Sequence, residues 1–110
     1  MDESLLLKFL GDTPLLRVVD FLIENSIFDY TKTDIAENSG ISRASLYNVW
    51  PVLEEFGIVS ESRKIGNTTL YKLNKANPLV QKLIGLDLEL SEQFADISAG
   101  KKAVPSPSPA

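Results

Sequence analysis

The chain has 110 residues, 44% of them apolar, and a formal net charge of −4, which suits a single globular core and leaves little material for a second. It contains no cysteine and no histidine, so disulfides, thiolate metal sites, cysteine nucleophiles and imidazole bases are excluded, and most hydrolytic mechanisms go with them. Its uninterrupted apolar stretches, such as Leu5–Leu7, fall far short of a membrane span, and the acidic opening Met1-Asp2-Glu3-Ser4 is unlike a basic secretory leader, so a cytoplasmic location with no membrane partner is expected.

The negative total argues at first against nucleic acid, but the charge is unevenly spread. Between Ser62 and Leu86 lie Arg63, Lys64, Lys72, Lys75 and Lys82 and no carboxylate, whereas the remainder holds all fifteen acidic residues. A locally basic segment on an acidic body can still neutralise phosphates.

In chain order, Glu3–Leu10 reads as a short helix stopped by Gly11, placed to pack on a neighbour or a partner. Asp12-Thr13-Pro14 starts a second helix, because a capping side chain precedes a proline whose missing N–H falls where no intrahelical acceptor exists. That helix runs to about Asn25, and its apolar residues form more than one stripe, so it is the expected centre of the core. Ile27, Phe28 and Tyr30 then either pair briefly as an edge strand or anchor a loop. Thr31-Lys32-Thr33-Asp34 has the spacing of a capping box and opens a helix over Lys32–Asn38, which Gly40 ends by taking a left-handed conformation. Ser42 caps the next helix after so short a turn that the two must cross steeply, with Ile35, Ala36, Ile41, Leu46, Val49, Trp50 and Leu53 filling the angle between them. This helix extends from Arg43 to Phe56, and Pro51 predicts a kink near Trp50. Trp50, Leu53 and Phe56 read as core. Beyond Gly57, Ile58–Lys64 and Thr68–Leu73 make an antiparallel hairpin around Ile65-Gly66-Asn67. Asn77-Pro78 caps a last helix, in which Leu79, Leu83, Leu86, Leu90, Phe94 and Ile97 recur at spacings of three and four. Its Asp87, Glu89, Glu92 and Asp96 read as a wet face, not a metal site. Residues 98–110, rich in Pro and Ser, are expected to form a disordered tail.

The stretch Thr31-Lys32-Thr33-Asp34-Ile35-Ala36-Glu37-Asn38-Ser39-Gly40-Ile41-Ser42-Arg43-Ala44-Ser45-Leu46-Tyr47-Asn48, followed by Leu53-Glu54-Glu55-Phe56-Gly57-Ile58-Val59, resembles winged helix-turn-helix DNA-binding proteins of the MarR/ArsR type. The opening Gly11–Leu22 and the dipeptide Trp50-Pro51 more narrowly resemble small archaeal winged-helix regulators. Together the likeness covers roughly residues 11–86. It implies an α+β fold that is mostly α: a winged helix-turn-helix core over about residues 13–76, a two-stranded wing, and a C-terminal helix that completes a domain over residues 1–97 and pairs two copies. It also implies a DNA-binding regulator, often dimeric.

In such a fold the second helix of the pair enters the major groove and presents its N-terminal residues to base edges. Here those are Ser42, Arg43, Ala44, Ser45, Tyr47 and Asn48, of which Arg43 suits guanine and Asn48 adenine. Thr31 and Lys32 stand at a helix N-terminus that can hold phosphate, and Arg63, Lys64, Asn67 and Lys72 of the wing would follow the flanking backbone or reach the minor groove. Leu79, Leu83, Leu86, Leu90 and Phe94 make a seam too long for the wing to bury, which predicts a homodimer. The expected partners are double-stranded DNA and a second copy of the chain. No cofactor, metal site or catalytic constellation is proposed. The competing reading is a protein-interaction module that kept the fold and lost DNA affinity, as the acidic total charge allows.

Overall fold

The structure, a computed structural model, describes residues 4–98. The elements are α1 (Leu5–Leu10), α2 (Pro14–Glu24), α3 (Lys32–Ser39), α4 (Arg43–Glu55), β1 (Val59–Ile65), β2 (Thr68–Leu73) and α5 (Pro78–Ser98). The expected tail, beyond Ser98, lies outside the described residues.

Each helix start is set by a local side chain that accepts from an otherwise orphaned amide. Ser4 Oγ accepts from Leu7 N at 3.1 Å, Thr13 Oγ1 from Leu16 N at 3.2 Å and Ser42 Oγ from Ser45 N at 3.0 Å. At α3 the capping box is complete, with Asp34 N donating to Thr31 Oγ1 at 3.0 Å and Thr31 N donating to Asp34 Oδ2 at 3.3 Å. Caps of this kind contribute about 1 kcal/mol each. Gly40 takes φ +70° at the end of α3, and a Cβ there would also meet the Arg17 guanidinium at 3.1 Å. Arg17 uses that position: its Nη1 donates to the Gly40 carbonyl at 3.1 Å while its Nη2 donates to Asp12 at 2.9 Å, which ties the start of α2 to the turn between α3 and α4.

The core centres on α2, as its double stripe predicts. Val18, Val19 and Leu22 are buried against Ile35 and Ala36 of α3, Leu46, Trp50 and Leu53 of α4, and Leu73 of β2, with Leu6 of α1 and Val80 of α5 closing the cluster. Helix α4 remains helical through Pro51 to Glu55, so no break follows the proline. Phe56, expected in the core, is 56% exposed, because the helix has ended and Gly57 turns the chain at φ +66°. Ile27 and Phe28 are also exposed, so of the three apolar residues expected to pair or anchor there it is Tyr30 that does so, through a bridge to Tyr71.

The hairpin pairs Ile65 with Thr68, leaving a two-residue loop of Gly66 and Asn67. Only Gly66 has positive φ, at +62°, the pattern of a type II′ turn that matches the strand twist. Between Glu61 and Arg63 the register slips, and Ser62 forms a bulge. Helix α5 lies on α1, which takes up most of the expected seam: Leu90 is buried, Leu83, Leu86 and Phe94 pack partly on the core, and only Leu79 remains exposed.

Candidate nucleic-acid interface

Burial of Leu46, Trp50 and Leu53 fixes which side of α4 faces outward. Ser42, Arg43, Ala44, Tyr47 and Asn48 are exposed there and Ser45 is half-buried, so the six expected groove residues occupy one surface at the start of the helix. Arg43 Nη2 donates to Thr33 Oγ1 at 2.8 Å, which carries the guanidinium toward the first turn of α3. Ser42 Oγ donates to Ser45 Oγ at 3.0 Å.

On the wing, Arg63, Lys64, Asn67 and Lys72 are all exposed. The bulge at Ser62 directs two neighbours onto one carboxylate: Ser62 Oγ donates to Asp29 Oδ2 at 2.8 Å and Arg63 Nε donates to the same oxygen at 2.9 Å. These hydrogen bonds hold the Asp29 carboxyl below the usual carboxylate range. Arg63 is therefore engaged within the chain, although 62% of its side chain stays open to solvent. Among the described residues no ion-pair partner meets Lys64 or Lys72, and Asn67 lies exposed at the tip of the hairpin.

The start of α3 is also occupied from within. Thr31 is committed to the capping box, whose carboxylate, Asp34, stands where an incoming phosphate would meet the free amides. Lys32 turns toward aromatic rings, its Nζ 4.8 Å from the centroid of Trp50, 5.6 Å from Tyr71 and 6.0 Å from Tyr47. Burial, helped by the charges of Glu61 and Glu54, pushes the Tyr71 phenol up. Three partners escape sequence reading: Asp29 for Arg63, Gly40 for Arg17, and Tyr71 for Lys32. Each contact joins residues far apart in the chain, and no local spacing announces it.

Elsewhere, α1 and α5 enclose an open apolar groove of 570 Å³ lined by Leu5, Phe9, Leu86, Leu90 and Phe94, with Lys8 and Glu89 also on its walls. No cluster of three or more carboxylates able to hold a metal ion occurs among the described residues, and no helix among them is long and apolar enough to cross a membrane.

No protein-family model matches the chain, and no curated protein does. Solved structures do. MepR, a transcription regulator of the Staphylococcus aureus multidrug efflux pump MepA, is 13% identical with a TM-score of 0.63, covering 89% of this chain and 70% of its own. NadR in complex with 4-hydroxyphenylacetate is 21% identical with a TM-score of 0.60, covering 87% of this chain and 67% of its own. A homodimeric winged helix-turn-helix DNA-binding domain from Mycobacterium bovis, a possible ArsR-family regulator, is 19% identical with a TM-score of 0.56, covering 84% of this chain and 81% of that fragment. These neighbours are winged-helix regulators of the MarR/ArsR type. They do not bear on the narrower archaeal resemblance. At such identities the likeness speaks to architecture, and it agrees with the mostly helical element order, the two-stranded antiparallel hairpin and the C-terminal helix: the chain has the winged helix-turn-helix fold.

Proposed function

We propose that this protein is a cytoplasmic, homodimeric transcription regulator that reads double-stranded DNA and catalyses no reaction. The observation that carries the reading is the outer face of α4, where Ser42, Arg43, Ala44, Tyr47 and Asn48 lie open at the start of a helix whose opposite side is locked into the core. A major groove about 12 Å wide accepts such a helix, and Arg43 and Asn48 supply the side-chain types that pair bidentately with guanine and adenine. Lys64, Asn67 and Lys72 contact backbone phosphates, and Arg63 joins them by exchanging Asp29 for a phosphate oxygen. The neighbours' roles as transcription regulators, and the homodimeric DNA-binding domain among them, support both parts of the reading.

One observation favours the alternative of a protein-interaction module: Arg63 and Lys32 are satisfied inside the chain, and Asp34 guards the start of α3. Titration against preferred and scrambled duplexes at several salt concentrations separates the two. A DNA reader loses affinity linearly in log salt. Its Arg43→Ala variant loses about 1–3 kcal/mol on a preferred site and relaxes preference at one base position. Lys64→Ala weakens every duplex alike and lowers the salt slope by about one. An interaction module ignores duplex even at low salt, and an Arg43→Ala variant with unchanged affinity and preference would remove α4 from the groove.

A further inference from the structure

The residues that lead into α3 each take hold of a different part of the molecule. Asp29 accepts from Ser62 and Arg63 of β1. Tyr30 exchanges both backbone hydrogen bonds with Tyr71 of β2, at 2.8 and 2.7 Å. Lys32, the first residue of α3, places its ammonium against Trp50 and Tyr47 of α4 and Tyr71 of β2. Trp50 and Tyr71 meet edge-on, with centroids 4.8 Å apart and planes at 76°. One cation carried by α3 thus spans rings from the helix expected in the groove and from the wing.

An ammonium over a ring face is attracted by the ring's quadrupole, most strongly over tryptophan, and the attraction grows as water is excluded. Lys32 is half-buried and Trp50 is 3% exposed, so much of the water is gone. The indole N–H of Trp50 is buried without an acceptor among the described residues. The ring is therefore oriented by packing and by the cation, not by a hydrogen bond of its own. No carboxylate among the described residues lies within ion-pair distance to draw the ammonium away. A phosphate at the start of α3 would instead have to displace these rings' cation while facing the Asp34 carboxylate.

We propose that Lys32 is a positioning residue, a latch that sets the pose of the wing against α4, and not a phosphate contact. The latch itself stands on the packing described here; its effect on duplex binding rests on the DNA reading above. Loosening it blurs the relative placement of α4 and the hairpin, which lowers affinity, but it leaves unchanged the number of phosphates neutralised and hence the salt slope. A lost phosphate contact would do the reverse.

The test compares the full chain with Lys32→Met, which keeps the apolar stem and loses the charge, Lys32→Arg, which keeps a cation over the rings, and Lys64→Ala as a phosphate-contact control. Amide hydrogen exchange is read at Tyr30 and Tyr71, with the α2 amides as the reference for global stability. Lys32→Met is expected to lose about fivefold in protection at those two amides relative to α2, the equilibrium equivalent of one cation–ring contact, while Lys32→Arg keeps it. On duplex, Lys32→Met binds several-fold more weakly with the wild-type salt slope, and Lys64→Ala loses about one unit of slope. Unchanged protection in Lys32→Met overturns the latch, as does a slope lowered by about one with protection intact. If the wild type binds no duplex, the DNA reading fails and the exchange data alone decide the latch. Should Lys32→Met not fold, Lys32→Gln carries the same comparison.

Discussion

Asn77 concentrates in one side chain the work of two helix ends. Its Nδ2 donates to the carbonyls of Phe56 and Gly57, both at 2.9 Å, while its Oδ1 accepts from Leu79 N at 2.9 Å. The end of α4 and the start of α5 are thus closed by the same amide, and Asn74 Nδ2 adds a second donor to Gly57 at 3.1 Å. Asn77→Ala leaves two carbonyls and one amide without these partners, and the expected loss is about 1–3 kcal/mol, between a missing cap and a missing buried hydrogen bond. Urea unfolding checks it, with a lower midpoint and an unchanged denaturant slope as the expected result. A midpoint unchanged within error would mean that water serves these groups equally well. Half of this role was legible in the sequence, since Asn before Pro is a helix-start signal with a local cause. The other half was not, because the carbonyls it serves lie some twenty positions earlier, and only the turn at Gly57 brings them near.

At the scale of elements, the same division between local and distant causes recurs. The caps of α2, α3 and α4 depend on residues three apart and were readable; the bulge at Ser62, the Asp29 clasp and the cover that α1 lays on α5 depend on tertiary approach and were not. The meeting of α2 with α5 supplies a further case. Asp87, expected on a wet face, is half-buried, and burial raises its carboxyl above the ordinary value. Asp20 and Glu24 of α2 are raised too, in each case chiefly by burial; the charge of Asp87 adds to both, at Glu24 after that of Asp20, while the nearby Ser4 hydroxyl partly offsets the rise at Asp20. A carboxyl whose folded pKa exceeds its unfolded one binds its proton more tightly in the native state, so its contribution is full below the ordinary carboxylate range and is lost as pH rises through the raised value. Asp87→Asn removes one charge and relieves the two facing it. It is expected to stabilise the protein at neutral pH by less than about 1 kcal/mol, given the solvent screening of partly exposed groups, and the gain should shrink as pH falls toward 4. Thermal unfolding across that range is the measurement, and a gain that grows on acidification would contradict the assignment.

For the whole molecule, the groove between α1 and α5 is an open stretch of apolar wall, and it is where pairing of two copies is predicted. Phe9 on its rim is 65% exposed, and Leu10 and Leu88 on the same two helices are 43% and 56% exposed, an apolar surface that a single domain leaves wet. The seam read from sequence placed the pairing surface on Leu79, Leu83, Leu86, Leu90 and Phe94; with Leu90 buried by its own chain, the surface available to a partner shifts toward Phe9 and the outer side of α5. Lys8 and Glu89 both flank the groove, so the patch carries one charge of each sign beside apolar walls. A two-fold axis passing between Lys8 and Glu89 would set unlike charges of the two copies near each other, the self-complementarity that an isologous interface uses. On the proposed DNA reading, pairing would offset the low charge of a helix with only Arg43 as its cation among the expected groove residues, since two linked copies would engage two half-sites and the second engagement would be intramolecular. Phe9→Lys puts a charge into the groove at a position already exposed in the single chain, so it should leave folding intact while breaking association. Sedimentation of the wild type at about tens of micromolar, where modest interfaces fill, should give a dimer, and Phe9→Lys a monomer with the same far-UV circular dichroism. On a duplex with two half-sites one helical turn apart, about 34 Å, the variant should lose the steep two-site binding of the wild type yet keep its affinity for a single half-site. A wild type that sediments as a monomer, or a Phe9→Lys variant that still pairs, would remove the groove as the place where two copies meet.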